Sequence, residues 1–137
     1  AVDNGAANKY LDELLAGFFK TAAANAAAGS INVAIVGNID DTPTWPDVFD
    51  GTDSAETVSL QQVYDQVCKI AAQIATTATN ALTWPFGPIG IAGLFGGVLP
   101  DQWLVFVSHS AETTTNVWSA TEADHAVKRT SVWATVI

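Results

Sequence analysis

Apolar residues near the start of the chain recur at intervals of three and four positions. This spacing places them on one face of an α-helix, and Gly29 marks the point where such a helix ends. The pattern predicts a first amphipathic helix that begins near Ala7 and continues through the alanine-rich run Ala22–Ala28. Its apolar stripe comprises Ala7, Tyr10, Leu11, Leu14, Leu15, Phe18, Phe19, Ala22 and Ala23.

A second helix is predicted after residue 58 from local capping signals. Ser59 and Gln62 have the spacing of a capping box, and Val58 and Val63 have that of a hydrophobic staple. A helix that ends before Trp84-Pro85 has about 23 residues and a length of about 35 Å. Its apolar stripe comprises Leu60, Val63, Tyr64, Val67, Ala71, Ile74, Ala75 and Leu82.

Four segments have the composition of β-strands, with β-branched and aromatic residues between turn-forming ones. They are residues 31–36, 103–107, 114–120 and 127–137. We expect the last three to form an antiparallel meander. The order of elements predicts an α+β fold, with two long amphipathic helices packed on one antiparallel or mixed sheet of about four strands. A chain of 137 residues fits one domain spanning residues 1–137.

No charged residue occurs between Lys69 and Asp101, and the second half of this stretch is rich in glycine, proline and large apolar residues. Burial of its large side chains is worth about 12–24 kcal/mol as an upper estimate, so we expect it to be shielded from water. The shield is the protein's own sheet, a second subunit or a lipid bilayer. The candidate membrane or subunit contact residues are Trp84, Phe86, Ile89, Ile91, Leu94, Phe95, Val98 and Leu99.

Residues 90–97 alternate glycine with large apolar residues, and this composition is similar to that of viral fusion peptides. The resemblance implies shallow insertion into lipid. A regular membrane-spanning helix is excluded, because three prolines interrupt residues 83–100.

The chain is acidic, with 14 Asp and Glu against 5 Lys and Arg, and its formal net charge is −9. No basic face can form to neutralise a phosphate backbone, so nucleic acid is excluded as a partner. A lipid partner would be neutral rather than anionic. Cys68 is the only cysteine, and its place in an apolar pattern predicts a buried thiol, with an intermolecular disulfide as the alternative.

Motifs of catalysis are missing from the sequence. His109 and His125 lack the spacing of metal ligands, and no nucleophile motif accompanies them. Residues 37–41 lack the second glycine of a phosphate-binding loop and place two carboxylates where the phosphate would lie. We therefore expect a protein that is not an enzyme and that uses no small-molecule cofactor and no metal.

Three further features have a structural and a functional interpretation. Asp47, Asp50 and Asp53 predict a hydrated acidic loop, with a calcium site or a partner-docking patch as alternatives. Lys128-Arg129 resembles a dibasic processing site, but two exposed strand residues are the simpler interpretation. The five tryptophans are expected in the core, with sugar stacking or bilayer anchoring as alternatives.

Together these features favour a small, secreted, non-enzymatic protein that acts on membranes in a toxin-like or effector-like way. The alternative is a self-assembling structural subunit, such as a coat or virion component, that uses the same apolar segment as a subunit contact. The expected partner is accordingly a lipid membrane or copies of the chain itself. The expected location is extracellular.

Overall fold

The fold was analysed in a computed structural model that describes residues 2–3, 10–24, 26–38, 44–46, 48–52, 56–58, 61–111 and 118–133. The strands are β1 (Val2–Asp3), β2 (Asp12–Lys20), β3 (Gly29–Asn38), β4 (Cys68–Thr76), β5 (Thr83–Gly90), β6 (Gln102–Ala111) and β7 (Ala126–Val132). One α-helix, α1 (Gln61–Val67), and two 3₁₀ turns, η1 (Ala92–Phe95) and η2 (Glu122–Asp124), complete the described elements.

The strands form two antiparallel sheets. The first has the order β1-β6-β3-β4, with β1 contributing only two residues, and the second has the order β5-β2-β7. Consecutive strands β4 and β5 belong to different sheets, and so do β6 and β7. The chain therefore crosses repeatedly between the two sheets.

The main core lies between the sheets. Alternate residues of β3 and β2 point into it, and they are joined by Trp103 of β6 and by Ile91 and Leu99, which flank η1. Trp103 is 1% exposed and Ile91 is fully buried. Since inward and outward residues alternate along a strand, this core fixes the register of each sheet. The buried members are Leu15, Phe19, Ile31, Val33, Ile35, Phe86, Ile91, Ala92, Leu99 and Trp103.

A smaller apolar cluster covers the outer face of the first sheet. Ala34 and Val36 of β3 contact Phe49 from the loop before α1, and Cys68 is buried beside them. The central strand β3 is thus buried on both faces, which explains its nearly continuous run of β-branched residues. The buried thiol predicted for Cys68 is confirmed.

The predicted α+β fold with two long helices is wrong, because the structure is mostly β. Where the first helix was expected, β2 pairs with β5 and β7. The pairs Leu14-Leu15 and Phe18-Phe19 fit the apolar stripe of a helix. They also fit a strand, in which Leu15 and Phe19 point into the core. The ambiguity was resolved by pairing with strands that are distant in the sequence.

The second predicted helix survives only as α1, which begins within two residues of the expected cap and ends at Val67. Residues 68–76 form β4 instead. Ile70 and Ile74 are four apart, as on one helix face. In the strand, an irregularity opposite Val33 and Ala34 puts Ile70 on the surface, 45% exposed, while Ile74 packs on the core.

The strands expected at residues 31–36 and 103–107 are confirmed as the cores of β3 and β6, and the last predicted strand is confirmed to Val132. Residues 112–117, most of the strand predicted at 114–120, lie outside the described residues. The predicted meander is wrong, because β6 and β7 belong to different sheets.

Candidate functional site

The structure divides the eight predicted contact residues into two groups. The first group belongs to the sandwich interior: Phe86 and Ile91 are buried in the core, and Trp84 and Ile89 pack against it half-buried. Three of these four residues lie on β5, which is held by pairing with β2. For this group, the protein's own core is the shield.

The second group lines a surface groove. Leu94, Phe95, Val98 and Leu99 form its apolar wall, and Lys69 and Asp101 stand at its border. The groove has a volume of about 540 Å³. Leu99 is buried, whereas Val98 is 71% exposed. Leu94 and Phe95 are half-buried and pack against the core, so Val98 is the apolar side chain of the groove that is open to solvent.

Two glycines make this groove possible. After η1 the chain turns through Gly96 and Gly97, whose φ angles are +74° and +94°. Only glycine adopts this left-handed region without strain. The turn directs Val98 outward and returns the chain to Leu99 in the core.

The groove belongs to a larger uncharged surface, which we call the neutral flank: β4 from Ile70 onward, the turn at residues 77–82, β5 and residues 91–100. No residue from 70 to 100 is charged. β4 and β5 are edge strands of different sheets, and they contact each other on the same side of the sandwich. The neutral flank thus has no charged residue of its own, although Lys69 and Asp101 border its groove and Asp12 contacts it at Gly90 and Ala92.

His109 and His125 lie on either side of Trp118. The ring centroids of Trp118 and His109 are 5.3 Å apart, and those of Trp118 and His125 are 5.8 Å apart. Both ring nitrogens of His125 bind backbone: Nδ1 accepts the Lys20 N–H at 3.4 Å, and Nε2 contacts the Ser119 carbonyl oxygen at 3.0 Å. These contacts are satisfied by a neutral imidazole protonated on Nε2.

Ser119 is directed toward a carboxylate rather than toward either histidine. Its hydroxyl donates to Asp124 Oδ2 at 2.6 Å, while Lys20 Nζ binds Asp124 Oδ1 at 2.9 Å. The Ser119 hydroxyl and then the Lys20 ammonium hold the pKa of Asp124 below its usual value. Among the described side chains, no nucleophile is hydrogen-bonded to an imidazole. This cluster fastens β2 to the segment before β7.

Glu13 of β2 is a charged group inside the sandwich. Its side chain is fully buried, and Oε1 accepts hydrogen bonds from Arg129 at 2.7 Å and from Ser131 at 3.2 Å. Oε2 has no hydrogen-bond partner within the described structure. The neighbouring Asp12 accepts the Ala92 backbone N–H at 2.7 Å and so holds the start of η1. No sequence pattern predicted the ion pair between Glu13 and Arg129.

A cleft of about 290 Å³ lies on the outer face of the first sheet, between β3, β6 and α1. Asn32 forms part of its lining and accepts a hydrogen bond from Gln73 at 3.0 Å. Tyr64 of α1 forms one wall. Burial raises the pKa of the Tyr64 phenol, and the nearby Ser108 hydroxyl partly offsets that effect. Among the described residues, its lining contains no Asp, Glu, Lys or Arg.

The calcium hypothesis depended on Asp47, Asp50 and Asp53, of which Asp47 and Asp53 lie outside the described residues. The Asp50 carboxylate accepts both the hydroxyl and the backbone N–H of Thr52, at 2.6 and 2.8 Å, and these bonds lower its pKa. No group of three potential metal ligands occurs in the described part of the chain.

The tryptophans occupy different environments. Trp103 lies in the core, and Trp84 and Trp118 pack against it. Trp45 packs on the outer cluster, and Trp133 is 60% exposed beside Tyr10. Within the described ranges, no helix has both the length and the apolar character needed to cross a bilayer.

Comparisons with known proteins found no counterpart. No protein-family model, no curated protein and no solved structure matches the chain significantly.

Proposed function

We propose that the protein is a non-enzymatic structural subunit that associates with copies of itself through the neutral flank. One observation carries the proposal: an apolar groove leaves Val98 71% exposed, within a stretch of chain, residues 70–100, that has no charged residue. Isolated exposed apolar residues are common, but an exposed apolar groove with charged residues only at its border is typical of an interaction site.

The net charge determines which surfaces of two copies can come into contact without strong repulsion. Two molecules of charge −9 repel each other over about one Debye length, roughly 8 Å at physiological salt. Contact through an acidic surface would add close repulsion between carboxylates. Contact through the neutral flank keeps the carboxylates apart and buries apolar groups, so it is the favourable face for self-association.

A specific interface requires a minimum contact area. A standard interface buries about 800 Å² on each partner. That area is close to a tenth of the molecule's surface of 8083 Å². In the proposed interface this area would be drawn from the two edge strands and the groove, with Val98 as its most exposed large apolar side chain.

Membrane contact through the same segment is the competing hypothesis. It requires the apolar segment to leave the fold and enter lipid. The structure holds this segment in place, because β5 is hydrogen-bonded to β2 and Asp12 holds the start of η1. Among the eight candidate contact residues, Val98 is the one that the structure leaves exposed, and the others are at least half-buried, so we favour self-association.

The test is sedimentation velocity of the wild type, Val98→Lys and the matched control Val127→Lys. Val127 is 39% exposed and lies on β7, away from the neutral flank. Both substitutions change the net charge from −9 to −8, so general repulsion falls equally. We expect association of the wild type and of Val127→Lys, and loss of association in Val98→Lys.

Two results would refute the proposal: a wild type that remains monomeric in concentrated solution, or equal effects of the two lysine substitutions. A parallel assay with neutral phosphatidylcholine liposomes addresses the competing hypothesis. Dye release by the wild-type protein that Val98→Lys abolishes, without self-association, would favour membrane action. Unchanged circular dichroism spectra confirm that both variants are folded.

A further inference from the structure

Each sheet of the sandwich ends in two edge strands, and such edges need protection from unwanted pairing. Three of the four edges show a recognised protective feature. β1 has only two residues, β5 contains Pro85 and Pro88, and β7 carries Lys128 and Arg129. Prolines and charged residues at an edge prevent another strand from adding to it.

The fourth edge, β4, is different. It has nine residues, no proline and a single charge, Lys69, near its start. The irregularity between its pairings with Val33 and Ala34 separates the charged end from a regular half, Ala72–Thr76. In this half, Gln73 and Ala75 are exposed, and all five residues are uncharged. The described structure pairs β4 only with β3.

We infer that the regular half of β4, Ala72–Thr76, is the site of intermolecular strand pairing with the β4 strand of a second copy. The inference rests on the proposed self-association and specifies its geometry. Antiparallel pairing of two β4 strands joins the first sheets of the two molecules into one continuous sheet. The free backbone groups of both edges are then satisfied by each other.

A second copy is the occupant because charge favours it. A basic partner would be attracted to the acidic surfaces of the molecule, which lie elsewhere, and gains nothing at an uncharged edge. Another chain of charge −9 is instead repelled by the acidic surfaces, and it meets no such repulsion from the uncharged half of β4. The exposed groove around Val98 lies on the same flank, so one partner can cover both.

Residue-resolved amide hydrogen exchange tests the geometry. In an antiparallel edge strand, alternate N–H groups bond to the neighbouring strand and the others point outward. If the strands pair, the exchange rates of alternate amides of residues 72–76 should be lower by a factor of about ten or more in concentrated than in dilute solution. The amides of β5 and β7 that point outward should not gain protection in this alternating pattern.

A variant test uses lysines as edge protection. Gln73→Lys with Ala75→Lys changes the net charge from −9 to −7, and Val127→Lys with Thr130→Lys on β7 is the control with the same charge. We expect a weakening of self-association by about tenfold or more for the β4 variant, because four cations meet in the paired strands. The control should associate at least as strongly as the wild type.

The outcomes separate this inference from the proposed function. A wild type that is monomeric throughout overturns both. Self-association that is lost in Val98→Lys, but unchanged in the β4 lysine variant and without alternating protection in β4, overturns strand pairing alone. Alternating protection in β4, together with weaker association of the β4 lysine variant, supports the pairing.

Discussion

The buried carboxylate of Glu13 shows how a single side chain is accommodated in this sandwich. Its removal from water is costly unless an opposite charge and hydrogen bonds compensate for it. Arg129 and Ser131 of the adjacent strand β7 supply that compensation at one carboxylate oxygen. The pair thereby favours the observed register between β2 and β7.

Replacement of Arg129 by alanine should leave the Glu13 carboxylate buried without its cation. We expect Arg129→Ala to lower the free energy of unfolding by about 2–4 kcal/mol, since the arginine itself is partly exposed. Urea denaturation measures the change. Lys128→Ala, which removes an exposed neighbour on the same strand, should change stability by less than about 0.5 kcal/mol. Equal effects of the two variants would contradict this account.

Asp124 predicts a pH dependence. The bonds from Ser119 and Lys20 lower its pKa in the folded state, so the ionised form stabilises the fold. This contribution is complete above the usual Asp value of 3.8 and is lost as the pH falls through the lowered folded value. Asp124→Asn should therefore melt below the wild type at neutral pH, with the difference vanishing in acid.

Thermal melts monitored by circular dichroism across this range test the prediction. Glu122→Gln, in the same 3₁₀ turn but exposed, is the matched control. A melting difference between wild type and Asp124→Asn that persists at the most acidic pH would show that the carboxylate charge is not its cause.

At the scale of single residues, the sequence predicted which side chains are buried better than which side chains contact each other. Cys68 was expected to be buried, and it is. Glu13 was placed on a helix, because its partner Arg129 lies 116 positions later and no local pattern links the two. Likewise, the groove around Val98 requires Lys69 and Asp101 to meet through the fold.

Among the elements, β2 lies close to both of its neighbouring strands at Gly17. A Cβ atom at Gly17 would overlap the Ala126 carbonyl oxygen and lie 2.8 Å from Phe86 Cε1. We expect Gly17→Ala to destabilise the protein by about 2–4 kcal/mol, because both neighbouring strands must shift. Thermal or urea denaturation measures the loss.

Gly93→Ala is the matched control for this prediction. A Cβ at Gly93 has no atom within 4 Å. The control should therefore lie within about 0.5 kcal/mol of the wild type. If Gly17→Ala were equally harmless, the close approach of β2 to its neighbours would be wrong.

Some elements were predictable from local sequence and others were not. β3 and the centre of β6 are runs of β-branched and aromatic residues, and this composition favours a strand without tertiary information. β2 and β4 contain alanine-rich or paired apolar residues, and these fit the repeat of an α-helix as well as the alternation of a β-strand. Their strand form is decided by β5, β7 and β3, which lie beside them only in the folded molecule.

For the whole molecule, the sequence located the uncharged stretch but not the surface that it forms. The uncharged stretch 70–100 was visible as a sequence, but its division into core and groove was not. That division depends on β5 entering the second sheet and on the glycine turn directing Val98 outward. The sheet order could not be predicted, because neighbouring strands in sequence cross between sheets.

Net charge also predicts a salt dependence of self-association. Since the proposed interface is uncharged while each copy carries −9, salt screens the repulsion without weakening the contact. We expect tighter association when ionic strength rises from about 0.05 M to about 0.5 M. Light scattering at fixed protein concentration measures this. Dissociation by salt would show that ion pairs, not the neutral flank, hold the copies together.

The most direct test of the central claim is the molar mass of the wild-type chain in solution. Sedimentation equilibrium from dilute to concentrated solution should show a mass that rises from that of one 14.3 kDa chain toward two or more. A mass of 14.3 kDa that stays constant over the whole range would contradict the claim that the uncharged side of the molecule is a contact between copies.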